Sequence, residues 1–176
     1  MLNIKPPTYK FCPLCGTKLS FKEDVDKKKR KICPKCGWVY YPHVFSSVHA
    51  IIFKKGKVLL VRRGIPPHFQ EWNLPAGFID FGEHPIDTLK REIKEETGLT
   101  LIKARFIKIT QADDDPRAPG HFRLFYKVVA KGKLKIKDRT ETTNIDWFKL
   151  NKLPKIAWRQ HEEIIKKLQS LSPSEK

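Results

Sequence analysis

The segment Gly77–Leu99, GFIDFGEHPIDTLKREIKEETGL, constrains this chain more than any other. It sets Glu92, Glu95 and Glu96 close together between two residues that punctuate helices. Pro85 suits a first helical position, where its missing N–H would be unpaired anyway. Gly98 suits the left-handed stop just past a helix end. Ile86, Leu89 and Ile93 recur at helical spacing, so one stripe faces a core. At about 100° per residue the three glutamates share an arc roughly 100° wide. Lys90 and Lys94 fall on the far side, too distant to neutralise them. Each like-charged i,i+3 or i,i+4 pair costs about 0.2–0.5 kcal/mol on an exposed helix. A solvated acidic face is the plain alternative, but it leaves Gly77, Glu83 and Arg91 without a role. Clustered carboxylates are what Mg²⁺ or Mn²⁺ requires.

The segment resembles the Nudix box, G-x5-E-x7-R-E-U-x-E-E-x-G-U with U a bulky aliphatic residue. Gly77, Glu83, Arg91, Glu92, Ile93, Glu95, Glu96, Gly98 and Leu99 fill every fixed position, and a match at correct spacing is far more specific than a lone glycine motif. Trp72-Asn73-Leu74-Pro75-Ala76-Gly77 looks like the strand that leads into such a box. The resemblance implies an α/β fold, a Nudix α/β/α sandwich around a mixed sheet. It also implies a divalent-metal-dependent hydrolase that cleaves a nucleoside diphosphate linked to another moiety. Carried over residue by residue, Glu92 and Glu96 are the principal Mg²⁺ or Mn²⁺ ligands, with the Gly77 carbonyl beside them. Glu95 is a ligand or the base that orients water. Arg91 orients the carboxylates, and Glu83 is a further ligand or a loop anchor.

Cys12-Pro13-Leu14-Cys15-Gly16 and Cys33-Pro34-Lys35-Cys36-Gly37 use all four cysteines in the chain. Two C-x2-C pairs at this separation have the spacing of a tetrahedral four-thiolate zinc site. Two disulfides are the main alternative. MLNIKPPTYK lacks the continuous apolar run of a signal peptide, which favours a reducing cytoplasmic setting and therefore Zn²⁺. Four cysteine ligands leave no open coordination position, so the zinc is structural. About thirty residues bury too small a core alone, and metal binding supplies the difference. A zinc ribbon before a Nudix domain resembles the branch that contains NADH pyrophosphatases and FAD-pyrophosphatase-like proteins. The layout expected is a ribbon over residues 1–42 and a catalytic domain over 43–176.

Within the second part, Val44 to Phe53 reads as a buried strand, Lys54 to Lys57 as a turn and Val58 to Val61 as the next strand. Arg62 to Gln70 reads as a loop. Leu101 to Thr110, Phe122 to Ala130 and Ile145 to Phe148 read as further strands, and Pro154 as the opening of a last helix. Ser170 to Lys176 is expected to fray. His43, His49 and His68 have no ligand-like spacing. Trp72, Trp147 and Trp158 suit core packing better than stacking on a base.

The formal net charge of +17 favours polyanions such as nucleotides or RNA. Lys27-Lys28-Lys29-Arg30-Lys31 falls between the knuckles, and a solvated basic loop is the simpler account because no stacking aromatics interleave the run. No stretch is apolar enough to span a membrane. The loop Gln111 to His121, QADDDPRAPGH, is too polar for a core strand and suits substrate selection. Its Asp115-Pro116-Arg117 resembles a segment of ADP-ribose pyrophosphatases, and Arg117 and Arg123 are the candidate substrate contacts, with surface arginines as the alternative. The S-Q-P-W-P-F-P-x-S segment of zinc-ribbon NADH pyrophosphatases does not occur, which points away from NADH. FAD, ADP-ribose and related dinucleotides or ADP-sugars remain as substrates. RNA 5′-end hydrolysis and non-catalytic nucleotide sensing are the competing readings. Glu141, in TETTNIDWF, resembles a glutamate that sometimes completes the metal site. Relatives of this kind are often homodimers.

Overall fold

The computed structural model of the chain describes residues 8–170 and divides into two compact units, Met1–Val44 and Phe45–Lys176. The tail expected to fray lies outside the described residues from 171 onward. No helix among the described residues is long and apolar enough to cross a membrane.

The first unit is a hairpin, β1 (Ser20–Glu23) against β2 (Lys29–Ile32), set between the two cysteine knuckles. Each knuckle closes with a glycine N–H donated back to the first cysteine's carbonyl, Gly16 to Cys12 and Gly37 to Cys33. Both glycines have φ near +70°, which a side chain rarely tolerates. Arg30, inside the basic run, is not a free phosphate ligand. It ion-pairs with Asp24 and Asp26 and lies over the Tyr41 ring. Tyr9, Trp38 and Tyr40 pack ring on ring in place of a larger core.

The second unit holds one seven-stranded mixed sheet. Its strands are β3 (Ser46–Lys54), β4 (Lys57–Arg63), β5 (Trp72–Asn73), β6 (Ala76–Phe78), β7 (Thr100–Gln111), β8 (Phe122–Lys131) and β9 (Thr142–Lys149). They run in the order β5-β4-β3-β8-β7, with β6 added to β3 and β9 to β4, and only β3 and β8 pair in parallel. Alternation along β3 explains the layers. Val48, Ala50 and Ile52 pack with Leu89 and Ile93 of α1 (Pro85–Thr97). Ile51 packs with Phe125 and with Ile164, Ile165 and Leu168 of α2 (Arg159–Ser170). Successive side chains of a strand point to opposite faces, so the two helices cover opposite sides of the sheet. Leu89 and Ile93 are wholly buried, and truncating either to Ala costs about 2–5 kcal/mol.

Helix α1 begins and ends where the sequence places it. His84 caps its start, Pro85 opens it, and Gly98 at φ 75° ends it. Lys55 and Gly56, both at positive φ, make the turn between β3 and β4. Two expectations are corrected. The strand leading into the box is broken at Leu74-Pro75 into β5 and β6, because Pro75 has no N–H to offer a ladder. The last helix starts at Arg159, not Pro154, because the backbone of 155–157 is already paired with Trp72: Trp72 N–H donates to Lys155 O, and Ala157 N–H donates to Trp72 O.

Candidate active site

Strand β3 changes partner along its length. Phe53 and Lys54 pair with β4, whereas Ser47, Val48 and His49 pair with β6. The sheet opens between β4 and β6, and α1 presents its acidic arc to this opening. A cavity of about 320 Å³ lies there. Glu92, Glu95, Glu96 and Glu141 line it, and so do Arg63, Arg91, Arg117 and Arg123. The same four glutamates also border a second cavity of about 370 Å³, with Lys137, Asp138 and Thr142 beyond them. The structure therefore brings Glu141, far along the chain, to the wall formed by the box.

Arg91 organises that wall. Its Nε and Nη2 donate to the two oxygens of Glu83, each at 2.9 Å, and Nη1 donates to Glu92 at 2.6 Å and Glu95 at 3.3 Å. Glu83 also accepts from Thr88 Oγ1 at 2.7 Å, and it borders neither of the two cavities. Hydrogen bonding from Arg91 and Thr88 holds its carboxyl down at about 2. Of its two sequence readings, metal ligand and loop anchor, this geometry is that of the anchor. Glu92 packs against Gly77 so closely that a Cβ there would stand 1.9 Å from Glu92 Oε1.

Glu96 is the most desolvated member. It accepts the Ala76 N–H at 2.8 Å. Burial pushes its carboxyl well above the usual range, with Glu92 and Glu141 adding to the effect and Ala76 and Arg63 opposing it. Burial likewise raises Glu92, against the pull of Arg91. Buried carboxylates repelling one another fit a divalent cation, whose charge would favour the ionised form. Their ligand atoms are not yet gathered as tightly as the thiols: among the described residues only the four cysteines have all ligand atoms within 4.8 Å of one another. Arg91 stands among the carboxylates instead.

The opposite wall is made by the aspartate-rich loop. Asp113, Asp114 and Asp115 each take a different arginine: Arg159 at 2.6 Å, Arg123 at 2.7 Å and Arg117 at 2.8 Å. Burial pushes Asp115 up, but Arg117 outweighs it and holds the carboxyl below its ordinary value. Arg123 is no surface arginine; it is 1 % exposed. Its guanidinium lies 4.9 Å from the centre of the Trp158 ring, and Arg63 and Arg117 approach the same ring. Trp158 is buried and packs against these cations.

Sequence reasoning passed over Arg63, Ser47, His49 and His161. Arg63 is fixed by donating Nε to Pro67 O at 2.8 Å, and burial and Arg117 lower its pKa. The signal for Ser47 and His49 was their alternation with apolar residues in one strand, which puts both polar groups on one face; His161 had no such signal.

In the first unit, Cys12 and Cys36 Sγ are 3.6 Å apart, Cys15 and Cys33 3.5 Å, and Cys15 and Cys36 3.7 Å. A disulfide needs about 2.05 Å. Four thiolates about 2.3 Å from a tetrahedral centre are about 3.8 Å apart, so the donor set fits such an ion. Hydrogen bonding with Thr17 lowers Cys15 to about 6.

Residues 44–168 match the NUDIX domain model, and residues 10–42 match the model described as Nudix N-terminal. The chain belongs to the Nudix family. It is a Nudix hydrolase of the pyrophosphatase type, preceded by four clustered cysteines as in a zinc ribbon. It is 39 % identical over 127 residues to an ADP-ribose pyrophosphatase of Methanocaldococcus jannaschii, covering 72 % of this chain and 73 % of that one. It is 28 % identical over 153 residues to an NAD-capped RNA hydrolase of Vibrio vulnificus, covering 85 % of this chain. This chain spans only 54 % of that relative's length. Among solved structures, a Nudix hydrolase from Nitrosomonas europaea superposes with a TM-score of 0.72 at 23 % identity, covering 94 % of this chain and 96 % of that one. The NUDIX domain of Shewanella oneidensis NrtR, solved with ADP ribose, superposes with a TM-score of 0.65 at 21 % identity, covering 74 % of this chain and 90 % of that one. These two likenesses speak for the fold alone.

Proposed function

We propose that this Nudix hydrolase cleaves ADP-ribose, or a closely related ADP-sugar or dinucleotide, at its diphosphate to give two monophosphates. The observation that carries the reading is one cavity lined both by Glu92, Glu95, Glu96 and Glu141 and by the guanidiniums of Arg63, Arg117 and Arg123. A diphosphate linkage needs both. Guanidiniums hold its non-bridging oxygens, and the carboxylates hold Mg²⁺ or Mn²⁺. The name of the 39 %-identical relative and the DPR segment at Asp115–Arg117 support ADP-ribose in particular.

Glu92, Glu96 and Glu141, with the Gly77 carbonyl, are the residues that would hold the cation. When bound, it neutralises phosphate charge and acidifies a coordinated water. Glu95, half-exposed at the rim of the arc, takes the proton of the attacking water or completes the ligand set. The water oxygen bonds to one phosphorus, the bridging P–O bond breaks, and the departing phosphate keeps the bond's electrons. Arg91 holds Glu92 and Glu95 in place. Arg63, Arg117 and Arg123 steady the phosphates as charge shifts to the leaving oxygen. In the first unit, Cys12, Cys15, Cys33 and Cys36 hold a structural Zn²⁺.

The test is a product assay with Mg²⁺ or Mn²⁺ on ADP-ribose, FAD, NADH, NAD⁺ and 8-oxo-dGTP, beside Glu96→Gln. Metal-dependent release of AMP and ribose 5-phosphate by wild-type protein alone is the expected result. Silence on ADP-ribose with brisk turnover of another compound reassigns the substrate.

A further inference from the structure

Three buried polar side chains form a directed hydrogen-bond chain that ends in the cavity. Leu74 N–H donates to His161 Nδ1 at 3.2 Å, His161 Nε2 lies 2.9 Å from His49 Nδ1, and His49 Nε2 lies 2.8 Å from Ser47 Oγ. His161 is fully buried, and Ser47 and His49 are at least 95 % buried. A backbone amide can only donate, and this fixes every step after it. His161 Nδ1 must be the bare nitrogen, so its proton sits on Nε2 and is donated to His49 Nδ1. His49 must then carry its own proton on Nε2 and donate it to Ser47. Burial lowers the pKa of both rings, and Arg123 and His121 oppose any added positive charge, so both stay neutral.

The chain cannot relay protons, because its far end is a peptide N–H. What it does is direct a hydroxyl. With one lone pair of Ser47 Oγ committed to His49, the serine must spend its own proton elsewhere. Phe122 O, at 3.4 Å, is at the long limit of a hydrogen bond. Ser47 borders the cavity, and its register partner on β8 is Arg123. Paired residues of adjacent strands point to the same face, so the hydroxyl and the buried guanidinium stand side by side.

We infer that Ser47 and Arg123 form a donor pair for a non-bridging phosphate oxygen of a nucleoside diphosphate, and that His161 and His49 are positioning residues that aim the Ser47 proton at it. The inference rests on the reading of the cavity as a diphosphate site. Arg123 supplies charge, and Ser47 supplies a neutral donor of fixed direction.

The test uses α,β-methylene-ADP, whose carbon bridge resists hydrolysis, titrated calorimetrically into the full chain with Mg²⁺. Ser47→Ala is expected to weaken binding about tenfold or more, as for a lost hydrogen bond to a charged group, and to melt somewhat lower because His49 Nε2–H loses its acceptor, while staying folded at the temperature of the titration. His161→Phe, which removes the chain but fills the space, is expected to weaken binding in the wild type and to add nothing once Ser47 is alanine. Two residues that do not touch would then show coupling. Equal affinity of Ser47→Ala and wild type overturns the inference. So does a His161→Phe loss of the same size in both backgrounds, or wild-type protein that does not bind the analogue. Wild-type protein that binds it through Ser47 yet leaves ADP-ribose intact overturns the substrate assignment and leaves this inference standing.

Discussion

Gly77 and Glu92 are in contact through the space a side chain would fill: a Cβ on Gly77 would meet the Glu92 carboxylate at 1.9–2.5 Å. The glycine of the box is therefore a requirement of packing between β6 and α1, not of backbone conformation. Gly77→Ala is expected to push Glu92 aside and cut kcat/KM by about a hundredfold, the scale of a 1 Å misplacement. Because the clash is with the far end of a flexible side chain, stability should change much less than activity. Steady-state kinetics with a parallel melting curve checks both.

Arg91 joins Glu83, Glu92 and Glu95 through a planar fork. Lysine would keep the charge and lose the paired geometry. Arg91→Lys is expected to lower stability by about 1–3 kcal/mol and to reduce kcat more than it raises KM. Chemical denaturation and substrate titration read the two effects separately.

Glu96 opposes folding when it is ionised. Because burial raises its pKa in the folded state, its contribution falls as pH rises above the ordinary glutamate value of about 4.3. In EDTA at neutral pH, Glu96→Gln should therefore melt higher than the wild type while losing turnover. Adding Mg²⁺ or Mn²⁺ should raise the wild-type melting temperature and leave the mutant's nearly unchanged. A mutant that melts lower in EDTA would contradict the burial argument.

The histidine pair works in the opposite direction. His49 and His161 are depressed by burial, with His161, Arg123, His121 and Arg63 adding like charge around them. A depressed histidine contributes stability that is present above its unfolded pKa of about 6.5 and is lost as pH falls below it. In the Glu96→Gln background, where the more deeply buried of the two opposing carboxylates is gone, the melting temperature should drop between about pH 7.5 and 5.5. Each kcal/mol lost lowers it by about 2–4 °C.

Zinc is expected at one ion per chain, measured by elemental analysis of protein purified without chelator. A Cys33→Ser variant should lose the metal and expose residues 10–42 to protease, while the second unit keeps its resistance.

The sequence was most legible where local rules and tertiary demands agree. Helix α1 carries its own start, stop and buried stripe. The cysteine knuckles carry their own turns. Legibility failed where a residue's role is set by a distant strand. Pro154 looks like a helix start, and only the pairing of 155–157 with Trp72 keeps that stretch extended. Arg63 and Arg123 look like surface arginines at strand ends. Both approach the ring of Trp158, just ahead of α2, a contact no local pattern reports. His161 is one polar residue in an amphipathic helix, and only the approach of β3 reveals its partner.

Asp114 pairs with Arg123 and Asp115 with Arg117, so two arginines of the cavity already have carboxylate partners. On the function proposed above, an arriving diphosphate would not meet bare cations; it would compete with resident carboxylates, anion for anion. Such an exchange would release less energy than filling an open basic hole. Once such a substrate were split, each monophosphate would carry fewer contacts than the intact diphosphate, and the aspartates would recover their arginines. The aspartate-rich loop is then as much a device for letting go as for holding.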